Sequence, residues 1–468
     1  MSSPFNEVKY KQLLEGLEIS EVQLCELKAD NGELRIDAEY YQKEYLNEDT
    51  CLSRIGVAKL SSYAFVTDGQ HGYYESDPNS NIYMLAARNC KDYFANTIDA
   101  LPLAKWVDDN NKRSSLQNED IILSTRGSVG CCAIVYEEVL PANINQDVAR
   151  IKLNDNNTFI PEFLITYLNC KYGQNWMLRN QTGMVQQGLS LDKVRSIPLP
   201  LLSIIFQQKI EHIVKAAHSN LSKSKSLYSE AEEYLLSELG IKGWQPNNNP
   251  VNIKHLKESF LASGRFDAEY YQSKYDEIET AVTKYKHGYD IIGNLFAQNT
   301  DVCDYQEDAY NYIEIGDINI SDGTASFNLV LKEDLPDNAK RVLHTNDLLI
   351  SKVRPYRGAV AIIDFDDERL IGSGAFTVLH ERSSYKKEVL QILLRTQIYK
   401  DWLLKWNVGS SYPVIKDEDI LNLPIPKIPN QVQTEITTFV QKSISLRNEA
   451  KQLLEDAKLM VESEIEKR

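Results

Sequence analysis

Short apolar runs alternate with turn residues over most of this chain and twice give way to a long helical stripe. The runs IYMLAA (82–87), EDIILS (119–124), CCAIVY (131–136) and DVARIKL (147–153) have the length of strands bounded by turns. So do YNYIEI (310–315), NDLLIS (346–351), GAVAIID (358–364) and AFTVLH (375–380). Helical segments follow around PEFLITYLNC (161–170) and across 386–404. Proline-punctuated stretches at 197–201 and 423–428 cannot continue a helix and read as a strand or linker. Beyond the first, Ile210, Val214, Ala217, Leu221, Ser224, Tyr228, Ala231 and Leu235 keep the four-then-three spacing of a two-stranded seam. Beyond the second, Ile436, Val440, Ala450, Leu454, Ala457 and Val461 keep the same register, with Asn430 and Gln433 spaced as a capping box. Gly240 suits the end of the first helix, and the sequence GWQPNNNPVN breaks the chain after it.

The two halves are copies. RIDAEYYQKEY at 35–45 returns as RFDAEYYQSKY at 265–275, 230 residues on. Lys112-Arg113 meets Lys340-Arg341 at 228, Asp120 meets Asp347 at 227, and Trp176 meets Trp402 at 226. Gln207 meets Gln433 and Ile210 meets Ile436 at that last shift. The slow drift is what loop deletions leave in a tandem duplication. In the shared phrase Asp37 and Asp267 suit an N-cap and Glu39 and Glu269 the positive end of a helix, while the tyrosines supply packing bulk. The layout is one compact α/β domain at 1–200, a long helix at 201–245, a second domain at 246–428 and a second long helix at 429–468.

A stripe this long cannot be buried by one helix alone, and duplication supplies a partner. An antiparallel pair would hold two related domains at opposite ends of a rod of roughly 50 Å, at 1.5 Å per residue. Such a pseudo-twofold object suits a target with its own dyad and reading sites about 34–36 Å apart, which is the geometry of duplex DNA.

Composition limits the alternatives. The chain has 468 residues, 43% of them hydrophobic, ordinary for globular protein. No basic-then-apolar leader opens it, and the longest apolar run is too short to span a bilayer, so a cytoplasmic protein with no membrane partner is the expectation. Seven cysteines without a C-x-x-C point to reduced thiols, with Cys131 and Cys132 as strand filler. The net charge of −16 works against DNA binding, which rests on Lys and Arg. The chain shows no N/D-P-P-Y/F signature, no phosphate loop, no H-E-x-x-H and no metal-spaced Cys/His set, which argues against an autonomous enzyme.

The doubled R-I/F-DAEYY, the doubled KR…DIILS/DLLIS and the doubled proline passage into a long helix resemble the specificity subunits of type I restriction-modification enzymes. TDGQHGYYES (67–76) is similar to a loop such subunits carry early in a recognition domain. The resemblance implies two target recognition domains joined by an antiparallel helical pair, and a bipartite double-stranded DNA target. It also implies no catalysis by this chain. Two methyltransferase subunits and, indirectly, restriction subunits would be its partners, with S-adenosylmethionine and ATP/Mg bound there and none here. An acidic scaffold or DNA mimic that blocks a methyltransferase is the competing reading of the charge.

Candidate contacts follow from charge and divergence. Lys340, Arg341, Lys352, Arg354 and Arg357 face one acid, Asp347, leaving that stretch net +4, with Tyr356 beside them. Lys112, Arg113 and Arg126 hold related places in the first half, diluted by Glu119 and Asp120. The duplicated Lys-Arg pairs are expected on phosphates, because a feature present in both halves cannot distinguish two half-sites. Readout is expected where the halves differ: Gln70, His71, Tyr73 and Tyr74 against Asn299 and Gln306, and Gln186 and Gln187 against Ser410, Ser411 and Tyr412. Since the net charge is acid, partner subunits are expected to supply much of the phosphate binding.

Overall fold

The computed structural model describes residues 6–18, 20–25, 27, 35–72, 74–155, 157–183, 187–247, 249, 251–408 and 412–467. The chain forms two compact units: 1–220 with 448–468, and 221–447. Each combines sheet and helix, and each contains half of both long helices.

In the first unit the phrase at 35–45 folds into a knot. Arg35 clamps Asp37 with both Nε and Nη2 (2.9 Å each) and donates from Nη1 to Arg179 O (3.0 Å). Asp37 accepts from Tyr40 N (3.2 Å), capping a 3-10 turn at Ala38–Tyr41, after which helix Lys43–Ile55 begins. Tyr41 Oη closes the knot on Arg35 O (3.0 Å). The main sheet is antiparallel, in the order Ala64–Asp68, Val148–Leu153, Ile121–Ser124, Cys132–Ile134. A smaller sheet pairs Tyr83–Leu85 in parallel with Ala142–Ile144. Helices Pro161–Asn169 and Lys171–Arg179 cover the main sheet, whose core side chains include Ile121, Leu123, Ile134 and Ile151. The proline stretch is a strand, Pro198–Pro200, paired with Val57–Lys59.

The second unit repeats the plan. Arg265 clamps Asp267 (2.8 and 2.6 Å) and donates to Asn407 O (3.0 Å), and Tyr271 Oη returns to Arg265 O (2.9 Å). Its main sheet runs Phe296–Gln298, Phe376–Glu381, Leu348–Ser351, Val360–Ile362. The ion pair Arg179–Asp49 (2.6 Å), which ties knot to helix in the first unit, reappears as Lys405–Glu279 (3.3 Å). Packing and charge are thus preserved where residue identity is not.

The long helices are Ile204–Glu238 and Asn430–Glu466. In the first unit Ile210 and Val214 share a core with Ala457, Val461 and Ile465. In the second, Ala231 and Leu235 share one with Ile436 and Val440. The start of each helix therefore meets the end of the other, and the pair is antiparallel. Within the second unit Ser224 and Ser443, both buried, each donate from Oγ to the other's carbonyl oxygen at 2.8 Å. A polar pair in an apolar seam matches only in one register. Ser443 and buried Arg447 fill the gap that apolar spacing leaves between Val440 and Ala450.

The capping box expected at Asn430 and Gln433 does not form. Gln433 Oε1 instead accepts from Lys386 N (2.8 Å) while Nε2 donates to Ile428 O (2.8 Å). Gln207 does the same with Ile160 N (2.9 Å), Thr158 O (2.9 Å) and Leu202 O (3.0 Å). A buried amide has both a donor and an acceptor to satisfy, and bridging two backbone segments does so at once. The repeated glutamine is therefore a bracket between helix and domain.

Candidate nucleic-acid interface

In each unit a repeated hinge at one end of the main sheet carries several of the candidate residues. In the first unit Ser124 Oγ donates to Arg126 O (2.8 Å), Thr125 N to Asp147 O (2.8 Å) and Leu189 N to Thr125 O (2.9 Å). In the second, Ser351 Oγ donates to Val353 O (2.8 Å), Lys352 N to Ala375 O (2.9 Å) and Ile415 N to Lys352 O (3.0 Å). The hinge grips a loop: Gly188 bridges Arg126 and Thr182, and Val414 bridges Val353 and Val408. The sequence of these gripped loops differs between units. Tyr73, Gln186, Ser410 and Ser411 lie outside the described residues, whereas Gln187 and Tyr412 are both exposed on the gripped loops.

In the first unit Asp68 gathers two candidates, accepting from Arg113 Nη2 (3.1 Å) and facing His71 Nε2 (2.8 Å). A Cβ on Gly69 would lie 1.9 Å from Ile144 O, so only glycine lets this loop lie on the neighbouring strand. Gln70 Oε1 accepts from Asn111 Nδ2, and Tyr74 Oη donates to Gln70 O and accepts from Gln146 N. Gln70 and half-buried Tyr74 thus act as struts, and burial pushes the Tyr74 phenol pKa up. His71 points outward. Lys112 pairs with Asp108 and Asp109 (2.9 Å each), holding the Asp109 carboxyl below its ordinary value, and Arg126 stands 3.7 Å from Asp147. Asn145, Gln146 and Asp147 join these stretches, and nothing in their charge singled them out.

In the second unit Arg354 is in the left-handed region (φ 51°), a conformation that costs a non-glycine residue energy and collects at functional sites. Its N–H donates to Pro413 O (2.7 Å), and its guanidinium lies 4.4 Å from the centre of the Tyr412 ring. Sequence reading places these two residues in separate groups; the fold makes them one surface. Exposed Tyr356 and Arg357 follow in the same turn. Lys400 and Arg395, which sequence reading passed over because they lie in a helix pattern, reach Gly358 of this turn: Arg395 Nη1 donates to Gly358 O (3.1 Å).

In this unit two candidates have inward roles. Asn299 is buried, with Nδ2 on Val342 O (3.0 Å) and Asp347 Oδ2 (3.2 Å), and Oδ1 accepting from Asp301 N (2.9 Å). Its whole amide is spent holding the loop. Lys352 pairs with Asp417 (3.2 Å) and is largely covered. Asp347, the one acid of the basic stretch, is buried as well. The outward charge is therefore Lys340, Arg341, Arg354 and Arg357. Lys340 and Arg341 lie on strand Ala339–Val342, whereas Lys112 and Arg113 lie in a turn after helix Lys105–Asn110, so the repeated dipeptide has two backbone settings. Among the described residues no His/Cys/Asp/Glu group is arranged to hold a metal, and no helix is long and apolar enough to cross a membrane.

The chain is similar to several known proteins. Residues 86–232 match the model of the type I restriction modification DNA specificity domain. The chain is 30% identical over 160 residues to the Escherichia coli type I restriction enzyme EcoBI specificity subunit, covering 34% of this chain and 30% of that one. It is 21% identical over 367 residues to the MjaVIII specificity subunit of Methanocaldococcus jannaschii, covering 76% and 80%. The match thus spans under a third of the first relative and four-fifths of the second. The crystal structure of a type I S subunit from M. genitalium aligns over 88% of this chain and 95% of its own, at 12% identity and a TM-score of 0.40. Residues 86–232 thus resemble a type I restriction modification DNA specificity domain, and the chain is similar to type I restriction enzyme specificity subunits.

Proposed function

We propose that this chain is the DNA sequence-specificity subunit of a type I restriction-modification complex, reading a bipartite target with one half-site per unit. It docks two methyltransferase subunits and, through them, the restriction subunits. Catalysis resides in those partners, which bind S-adenosylmethionine and ATP/Mg, and this chain acts in the cytoplasm on double-stranded DNA. The observation that carries the reading is the repeated hinge gripping a divergent loop: a shared frame with differing contact residues is what a reader of two unlike half-sites requires. Arg354, set over Tyr412, is oriented to fork onto a guanine edge or clasp a phosphate, and Lys340, Arg341 and Arg357 suit phosphates. Lys112, Arg113 and Arg126 serve the first half-site, with His71 and Gln187 toward bases. The test is to express the chain with its methyltransferase partner and map methylated bases in host DNA. A split motif is the expected result; unmodified DNA from an active complex would refute the reading.

A further inference from the structure

The turn that presents Arg354 runs twice against ordinary backbone preference. Arg354 (φ 51°) opens it and Gly358 (φ 68°) closes it, with a 3-10 turn, Pro355–Arg357, between them. In the first unit the hinge serine bonds to Arg126 O, as Ser351 does to Val353 O, so the place of Arg354 is taken there by Gly127 (φ 76°). Glycine adopts that conformation freely, whereas arginine does so only where its surroundings enforce it.

The enforcement comes from behind the turn. Arg395 ends helix Lys387–Arg395 and is half-buried. Its Nη1 donates to Gly358 O (3.1 Å) and its Nη2 to Ile320 O (3.0 Å). Its guanidinium carbon lies 5.3 Å from the centre of the Tyr228 ring, on the first long helix. Ile320 belongs to a hairpin that pairs Ile318–Asn319 with Thr324–Ala325. Elsewhere in this hairpin Gly323 O accepts from Gln391 Nε2 (2.9 Å), and Asp322 Oδ2 stands 3.4 Å from Arg447 Nε on the second long helix. Arg447 Nη2 donates in turn to Ser443 Oγ (3.4 Å), one half of the serine pair in the seam. A Cβ on Gly323 would lie 2.8 Å from Gln391 Nε2 and 3.1 Å from Arg395 Cζ, so only glycine lets the hairpin come this close. The hairpin thus reaches from the seam to Arg395, and Arg395 from the hairpin to the turn.

The first unit manages with less. Gln174 Nε2 donates to Leu168 O (2.7 Å) and to Gly130 O (3.0 Å), the glycine (φ 86°) that closes its turn. A neutral amide suffices where Gly127 bears no strain. The strained turn has a guanidinium, whose charge-assisted hydrogen bonds are roughly twice as strong.

We infer that Arg395 is a positioning residue for sequence readout by the second unit: through Gly358 it holds the turn in the backbone path that sets the Arg354 guanidinium over Tyr412. The inference rests on the function proposed above and adds a residue that serves readout without touching DNA.

The test uses the full chain in complex with its methyltransferase partner, with methylated bases mapped in host DNA and target-duplex binding measured at several salt concentrations. In R395M, binding is expected to weaken about three- to tenfold. The half of the motif read by the second unit should blur while the other half stays sharp. The slope of log K against log salt should not change, because no phosphate contact is lost. R354A and R354A/R395M should bind alike, since Arg395 acts through Arg354. R395Q keeps an N–H donor for one carbonyl and should fall between wild type and R395M; it carries the test if R395M folds poorly. A motif that stays sharp in both variants overturns the inference, as does a double variant whose losses add. A slope shallower by about one overturns it in favour of a direct phosphate contact. Methylation lost at both halves, with a collapsed thermal midpoint, overturns it in favour of a purely structural role. A wild-type complex that leaves no split motif overturns the proposed function, and the inference with it.

Discussion

The loop ends of the two units hold their cations differently. In the first, Lys112, Arg113 and Arg126 each stand beside an acid, at 2.9, 3.1 and 3.7 Å. In the second, among the described residues, Lys340, Arg341, Arg354 and Arg357 stand in no ion pair. An exposed ion pair contributes about 0–1 kcal/mol, so the first unit must exchange each acid for phosphate at little net gain. The second presents its charge ready. Under the proposed function, the expectation is that the second unit supplies more of the salt-dependent affinity.

The comparison can be broken most forcefully at Asp120. In the first unit it is buried against Arg150 (2.7 Å), and burial pushes its carboxyl up despite the guanidinium. Arg150→Met removes its buried counter-charge, although Gln117 N (2.7 Å) still donates to it, and should cost about 3–5 kcal/mol in urea unfolding. The corresponding Asp347 keeps His344 N (2.9 Å) when Asn299→Ala removes its amide partner, so about 2 kcal/mol is expected there. Next comes Arg354→Ala. It should weaken target binding by about 1–3 kcal/mol and blur only the half of the methylated motif assigned to the second unit.

A smaller effect separates the units by pH. Glu48 is buried and its pKa is pushed up to about 7 by that burial, although Asn175 Nδ2 donates to it (2.8 Å); the second unit has Ile278 at the matching position. The folded carboxyl holds its proton more tightly than the unfolded one, at its ordinary value of 4.5. Wild type therefore loses stability as pH rises from there through about 7. Glu48→Gln should raise the thermal midpoint at pH 8 and leave it nearly unchanged at pH 4.5. The smallest effect is expected for Asp68→Asn, which frees Arg113. DNA binding by the complex should strengthen by less than about 1 kcal/mol, with the slope of log K against log salt steeper by about one.

Much of this was legible beforehand for definite reasons. Six of the eight seam residues from Ile210 to Leu235 are buried, with Leu221 and Tyr228 partly so, because four-then-three spacing leaves no other face to bury. Every quoted strand run overlaps an observed strand. Asn299 misled because an amide in a divergent loop looks identical whether it faces a base or a buried carboxylate. Gln433 misled because local spacing cannot reveal a backbone partner 47 residues away.

Duplication, the helical stripes and the position of the knots were determined by sequence alone, since periodicity and self-similarity are properties of the chain read in order. Tertiary structure decided which amides turn inward, which cations keep an acid, and that Arg354 lies over Tyr412. Those outcomes depend on residues far apart along the chain competing for the same hydrogen-bond partners, and that competition is settled only when the backbone has closed.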